Sequence, residues 1–216
     1  MLRLHDHRTG RTEVLPAGRG LRVQVVDGGY RRAVVADLLR RVAERSGRRV
    51  RVVCTPGAPT GLDDYSVQPF EVLDDVLPDA DVYVSGAADM DALCLAVPEE
   101  TGASPDPSAA RLAILEVPYR EPLELSAERL SAAAERLDAW RGEVAGWATA
   151  PGRPMNRVYA AEAEAALADD LGSPAALAVL DRLAADPDIA PGAKLETFIH
   201  LDLVLALGLV AAIGRA

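Results

Sequence analysis

Two short apolar runs with one amphipathic helix between them constrain this chain more than any other feature. Leu21–Asp27 (LRVQVVD) stops at Gly28-Gly29, and Val50–Cys54 (VRVVC) stops at Pro56-Gly57. Between them, Val34, Val35, Leu38, Leu39 and Val42 recur at helical spacing, which predicts a helix from about Arg31 to Ser46. Gly47 suits its C-terminal end. The unit has the length and pattern of a parallel-sheet crossover, whose strands are buried on both faces and read as near-continuous apolar runs.

The flanking sequence extends this reading. Met1–Gly20, with His5, His7 and the turn-like Arg8-Thr9-Gly10, reads as a short hairpin or extended lead-in. Thr55–Pro69 is a loop rich in Pro, Gly and Asp, and Phe70–Leu77 reads as one or two helical turns. Asp81–Ser85 is a third strand, followed by Gly86 and a short helix near Ala88–Leu93. Leu95–Val97 is a candidate strand, Glu99–Pro107 a polar loop and Leu112–Val117 the last strand.

After Pro122 the pattern becomes helical. Leu130, Ala133, Leu137, Trp140, Val144 and Trp147 form one apolar stripe, with Ser126 as N-cap. Pro151-Gly152-Arg153-Pro154 breaks the chain, and Asn156 opens a helix to Leu171. Gly172 ends it, Ser173 caps the next with Pro174 in its first turn, and that helix stops at Asp186-Pro187. A fourth helix runs from about Ala193 to Ile213. The predicted class is α/β: a reduced Rossmann-like parallel sheet over residues 1–122, then an antiparallel helix bundle over 123–216.

The net charge of −10 argues against a protein that grips a phosphate backbone, which needs a basic footprint. Cys54 and Cys94 lie in separate apolar stretches and are expected to be buried, reduced thiols. The start of the chain has no signal-peptide pattern. The most apolar run, Leu203–Ile213, is shorter than the roughly 20 residues a bilayer requires. The expectation is a cytoplasmic protein with no membrane contact.

PYREPLELSAERLSAAAERL, from Pro118 to Leu137, resembles the segment of cysteinyl-tRNA synthetases in which a His-Tyr-Arg-Ser-Pro-Leu corner leads into a long helix. SAARLAIL just before it is similar to the Arg-Leu-Ala-Leu-Leu lead-in of that family. Ala166–Ala184 resembles its Asp-Asp-Asp-Phe-Asn-Thr-Pro-Glu-Ala junction, and LVLALGLV its closing Leu-Gly-Leu helix. The first 25 residues resemble the opening strands of the family, and AVVADLLRRVAERSGRRVRVV its first crossover. These segments occur in the family's order. The mycothiol-pathway cysteine ligases, which lack an anticodon domain, match the chain's endpoint better than full synthetases do.

The resemblance implies an ATP-dependent adenylating fold, yet the segments that serve this chemistry are missing. The His-Ile-Gly-His segment belongs between the first crossover strand and its helix, where this chain has only Asp27-Gly28-Gly29 and then Tyr30-Arg31-Arg32. Val26 stands near the place of the zinc-ligand cysteine. Glu99–Pro107, where the Lys-Met-Ser-Lys-Ser loop is expected, contains no lysine. Asp81–Met90 (DVYVSGAADM) is similar to the family's Asp-Ile-His-Gly-Gly-Gly-Ser-Asp-Leu stretch, without the histidines that follow it.

What is left offers few candidates. Gly28-Gly29 either admits a phosphate to a helix N-terminus, with Arg31 and Arg32 facing the anion, or is only the tight turn left by a deletion. Ser85 and Gly86, with Asp89 nearby, lie at a strand's carboxyl end, where open α/β sheets bind ligands. The candidate ligand-binding set is therefore Asp27, Gly28, Gly29, Tyr30, Arg31, Ser85, Gly86 and Asp89, with no catalytic and no metal-binding residue assigned. His5-Asp6-His7 reads as an exposed turn and His200 as a packed or surface histidine. Asp169 and Asp170 read as framework, favoured by the helix N-terminus that follows them.

These features lead to the expectation of a non-catalytic ligand-binding, regulatory or partner-binding module, with a protein partner or a second copy of the chain among its partners. Its cleft would accept a small molecule such as a nucleotide or amino acid, for instance ATP or an aminoacyl-adenylate, and no zinc. The alternatives are a minimal ATP-dependent amino-acid ligase and a tRNA accessory factor, the latter disfavoured by the acidity.

Overall fold

The computed structural model describes residues 1–15, 18–57, 59–87 and 92–214. A hairpin opens the chain: β1 (Arg3–Asp6) pairs antiparallel with β2 (Arg11–Val14). The crossover follows as β3 (Gly20–Val25), α1 (Tyr30–Arg45) and β4 (Arg49–Cys54), with β3 and β4 parallel. Then come β5 (Glu71–Val72), β6 (Val82–Ser85) and β7 (Leu93–Ala96). The five strands form one parallel sheet of order β5-β4-β3-β6-β7. Chain direction reverses its progress across the sheet between β3 and β6, so the topological switch point lies at their carboxyl ends.

The rest is helical: α2 (Pro107–Leu115), α3 (Ala127–Trp147), α4 (Arg157–Ala168), α5 (Ser173–Ala185) and α6 (Pro191–Leu205). Helix α2 packs on α3, α4 on α5, and α6 on α1, α3 and α4. Ala133, Leu137, Trp140 and Val144 of the predicted α3 stripe are buried, while Leu130 and Trp147 pack at its margins. Ser126 and Asn156 cap α3 and α4 through their side chains. One aliphatic core runs from the sheet through α1 and α2 to Phe198 and Leu201 of α6. Cys54 and Cys94 are buried, and burial pushes the Cys54 thiol up. No helix of the described residues is long and apolar enough to cross a membrane.

Four sequence expectations are corrected. Leu112–Val117 is not a strand; it lies in and just beyond α2, because Asp106 accepts the N–H groups of Ser108 and Ala109 at 2.9 and 3.1 Å and Pro107 opens the first turn. An apolar run buried on all sides does not reveal its period. Glu71–Val72, expected as helical, adds to the sheet edge beside Val53–Cys54, and Arg51 grips Glu71 through two bonds of 2.8 and 2.7 Å. The last helix stops at Leu205, not Ile213. Ala206 is left-handed (φ 53°), and Asp202 accepts the N–H groups of Leu207 and Leu209. Gly172, not Ser173, is the N-cap of α5. The helix expected near Ala88–Leu93 falls partly on residues 88–91, outside the described residues, and Leu93 itself begins β7.

Candidate functional site

The strand order brings the two candidate stretches together. Asp27-Gly28-Gly29 leaves β3 and Ser85-Gly86 leaves β6 side by side at the switch point, where Val26 N–H donates to the Val84 carbonyl at 2.9 Å. Asp89 lies outside the described residues. A cleft of about 550 Å3 opens there, lined by Asp27 to Tyr30, Arg32, Gly57, Pro59, Glu99, Glu100 and Gly102.

The N-terminus of α1 points into this cleft, and it is filled. Glu100 Oε1 accepts the Tyr30 N–H at 3.0 Å and Oε2 accepts the Arg31 N–H at 3.2 Å. Gly29, the N-cap residue, supplies no side-chain acceptor, so Glu100 satisfies two otherwise orphaned donors and sets a negative charge against the positive end of the helix. Its position is fixed from behind. Thr101 donates its N–H to Leu123 O at 3.0 Å and accepts from Leu125 N–H at 2.8 Å. Gly102 comes so close to Leu125 that a Cβ there would stand 2.8 Å from its carbonyl oxygen.

The arginines are committed as well. Arg31 is fully buried, donating to the Pro98 and Pro118 carbonyls at 3.4 and 3.0 Å, and burial draws its pKa down against the pull of Glu100 and Glu121. Arg32 donates to the Val97 carbonyl at 3.1 Å and the Gly28 carbonyl at 2.7 Å. Neither guanidinium is ion-paired across the cleft; both tie loops to α1.

The glycines have structural reasons of the same kind. A Cβ on Gly28 would stand 2.6 Å from the Gly57 carbonyl oxygen. Gly29 has φ +147°, a conformation side chains rarely adopt. A Cβ on Gly86 would stand 2.5 Å from Arg32 Nη2. The glycines let backbone and guanidinium approach each other, and each close approach is already used within the chain.

Tyr30 stacks on Tyr65 with ring centroids 4.3 Å apart and donates its hydroxyl to the Thr60 carbonyl at 3.1 Å. Ser85 is buried and accepts the Ala87 N–H. A phosphate approaching α1 would meet Glu100 on the helix end, with Asp27 and Glu99 on the same cleft walls. The chain's one lysine, Lys194, lies on α6 and donates to the Ala184 carbonyl at 2.7 Å. Among the described residues no three Cys, His, Asp or Glu side chains converge as metal ligands.

Two features escaped the sequence reading. Glu100 lies in a loop distinguished in sequence only by its want of lysine, and nothing in its sequence neighbourhood pairs it with a helix start 70 residues earlier. Asp6, expected in an exposed turn, is fully buried and accepts the Cys94 and Arg8 N–H groups, each at 3.1 Å.

No protein-family model matches the chain. Over 80 residues, 37% of this chain and 19% of the relative, it is 46% identical to an L-cysteine:1D-myo-inositol 2-amino-2-deoxy-alpha-D-glucopyranoside ligase of Streptomyces griseus. A ligase of the same description from Xylanimonas cellulosilytica is 41% identical over 95 residues, 44% of this chain and 23% of the relative. The cysteine–tRNA ligase of Parvibaculum lavamentivorans is 40% identical over 90 residues, 41% of this chain and 19% of the relative.

The chain is a relative of the cysteinyl-tRNA synthetase-like cysteine ligases. The likeness extends over less than half of it, and the chain spans about a fifth of the length of these relatives. Its α/β fold with a parallel sheet agrees with that relationship.

Proposed function

We propose that the chain is a non-catalytic member of this cysteine-ligase lineage, acting in the cytoplasm as a binding or regulatory module. The observation that carries the reading is the Glu100 carboxylate on the N-terminus of α1, 3.0 and 3.2 Å from the first two helical N–H groups. Adenylation moves negative charge among phosphates and is accelerated by cationic or N–H groups aimed at them. In this chain the first two helix N–H groups are bonded to a fixed carboxylate, the Arg31 and Arg32 side chains are bonded to carbonyls, and the one lysine is on α6.

Cysteine-dependent exchange of pyrophosphate into ATP tests this reading. Purified protein is expected to give no exchange above a protein-free blank. Exchange that scales with protein and disappears in a folded Arg32→Met variant would instead establish a reduced ligase working through the switch-point cleft.

A further inference from the structure

We propose that β2 is a homodimerisation edge, pairing antiparallel with β2 of a second copy about Thr12. The opposed pair His5 and Thr12 does not exchange hydrogen bonds, because the His5 N–H donates to Asp170 Oδ1 at 2.7 Å instead. The pair Arg3 and Val14 is of the same kind, since the Arg3 carbonyl accepts the Asp170 N–H at 2.9 Å. Opposed residues in an antiparallel ladder exchange either both bonds or neither. The N–H and C=O groups of Thr12 and Val14 therefore point away from β1, and among the described residues nothing pairs with them. Val14 is also 48% exposed, so apolar surface flanks this edge.

Charge selects the partner and the register. Short edges are commonly protected by charged side chains, which oppose a second edge unless the charges pair across it. Here Arg11 and Glu13 share one face of β2, and neither forms an ion pair within the described chain; Glu13 accepts only the Thr9 hydroxyl at 3.3 Å. A two-fold axis through Thr12 puts Arg11 opposite the second copy's Glu13 and Glu13 opposite its Arg11, giving two complementary cross-strand pairs. The register centred on Glu13 would pair Thr12 with the second copy's Val14 but oppose two like carboxylates, whereas the Thr12-centred register exchanges bonds between the two Thr12 residues alone, since it sets Val14 opposite Gly10, whose N–H is taken by the Asp6 carbonyl at 2.8 Å. The edge is thus complementary to itself in one register.

The test is sedimentation equilibrium of the full chain over roughly 1–200 µM, where a self-associating protein shows a concentration-dependent mass. Wild type is expected to shift from monomer towards dimer. Arg11→Glu and Glu13→Arg should each weaken the dimer at least about tenfold, and the double variant should restore it. Thr12→Pro removes an outward N–H without touching the β1–β2 bonds, so it should give a folded monomer, with folding checked by circular dichroism. A wild type that stays monomeric throughout, or a dimer indifferent to Thr12→Pro and to the single charge reversals, overturns the proposal.

Discussion

Arg111 Nη2 stands 3.0 Å from Asp37 Oδ2, with both side chains shielded from water, and this pair joins α2 to α1. Every arm of the site is used. Arg111 also donates to the Leu205 carbonyl at 2.8 Å and the Tyr65 carbonyl at 2.9 Å, while Asp37 accepts Arg41 Nε at 2.8 Å and the Gln68 N–H at 3.0 Å. Removing one partner strands the other as a buried charge. Arg111→Ala is expected to lower unfolding free energy by about 3–5 kcal/mol, measured by urea denaturation. A loss below about 1 kcal/mol would mean that water reaches the pair.

The glycines of the cleft answer to packing, and their substitution separates packing from ligand binding. Gly28→Ala drives a methyl group to 2.6 Å from a backbone oxygen and should cost about 1–3 kcal/mol. Gly86→Ala should cost less, since it meets the end of the Arg32 side chain, which can swing away at the expense of its bonds to Val97 and Gly28. Thermal unfolding of the two variants gives the order; the reverse order would contradict the geometry.

Asp6 gives the hairpin a defined pH response. Burial alone would raise its carboxyl, but N–H groups of Cys94 and Arg8, the Thr9 hydroxyl and the Arg8 charge together hold it below the ordinary 3.8. A carboxyl depressed in the folded state contributes stability above its unfolded pKa and loses it as pH falls through the folded pKa. Wild type should therefore lose stability below about pH 4 more steeply than Asp6→Asn. Parallel curves for the two proteins between neutral pH and acid would show that Asp6 contributes no such linkage.

Asp169 and Asp170 are framework of unequal weight. Asp170 accepts the Tyr119 hydroxyl at 2.6 Å and the His5 N–H at 2.7 Å and meets Arg120 at 3.2 Å, so it ties the hairpin to the corner before α3. Burial, followed by the bond to Asp170, pushes the Tyr119 hydroxyl well above its usual pKa. Asp169 forms one exposed pair with Arg3. Asp170→Ala should cost about 2–3 kcal/mol and Asp169→Ala under about 0.5 kcal/mol by chemical denaturation. Equal losses would contradict the assignment.

The crossover, the hairpin and the caps Ser126 and Asn156 were legible because local periodicity and capping chemistry specify them. Two elements were misread because the deciding bonds are not periodic. Residues 112–115 are an apolar run that fits either period, and only the Asp106 cap with Pro107 makes it a helix. Glu71–Val72 is a strand only because β4 offers an edge. For the site, Asp27-Gly28-Gly29 and Ser85-Gly86 could be placed at strand ends from sequence. Their meeting depends on strand order, and the closure of α1 depends on a carboxylate 70 residues away. Asp169 and Asp170 do precede the N-terminus of α5, as expected, but their specific bonds could not be foreseen. Neither side chain caps α5, and Asp170 works through Tyr119, His5 and Arg120.

The occupation of the α1 N-terminus by Glu100 is tested most directly by titration calorimetry with ATP, on wild type and on Glu100→Ala. Wild type is expected to give no heat of ATP binding. The variant should lose about 1 kcal/mol of stability, as two helix N–H groups lose their acceptor. Micromolar ATP binding to wild type, unchanged in Glu100→Ala, would contradict the claim that this carboxylate closes the site.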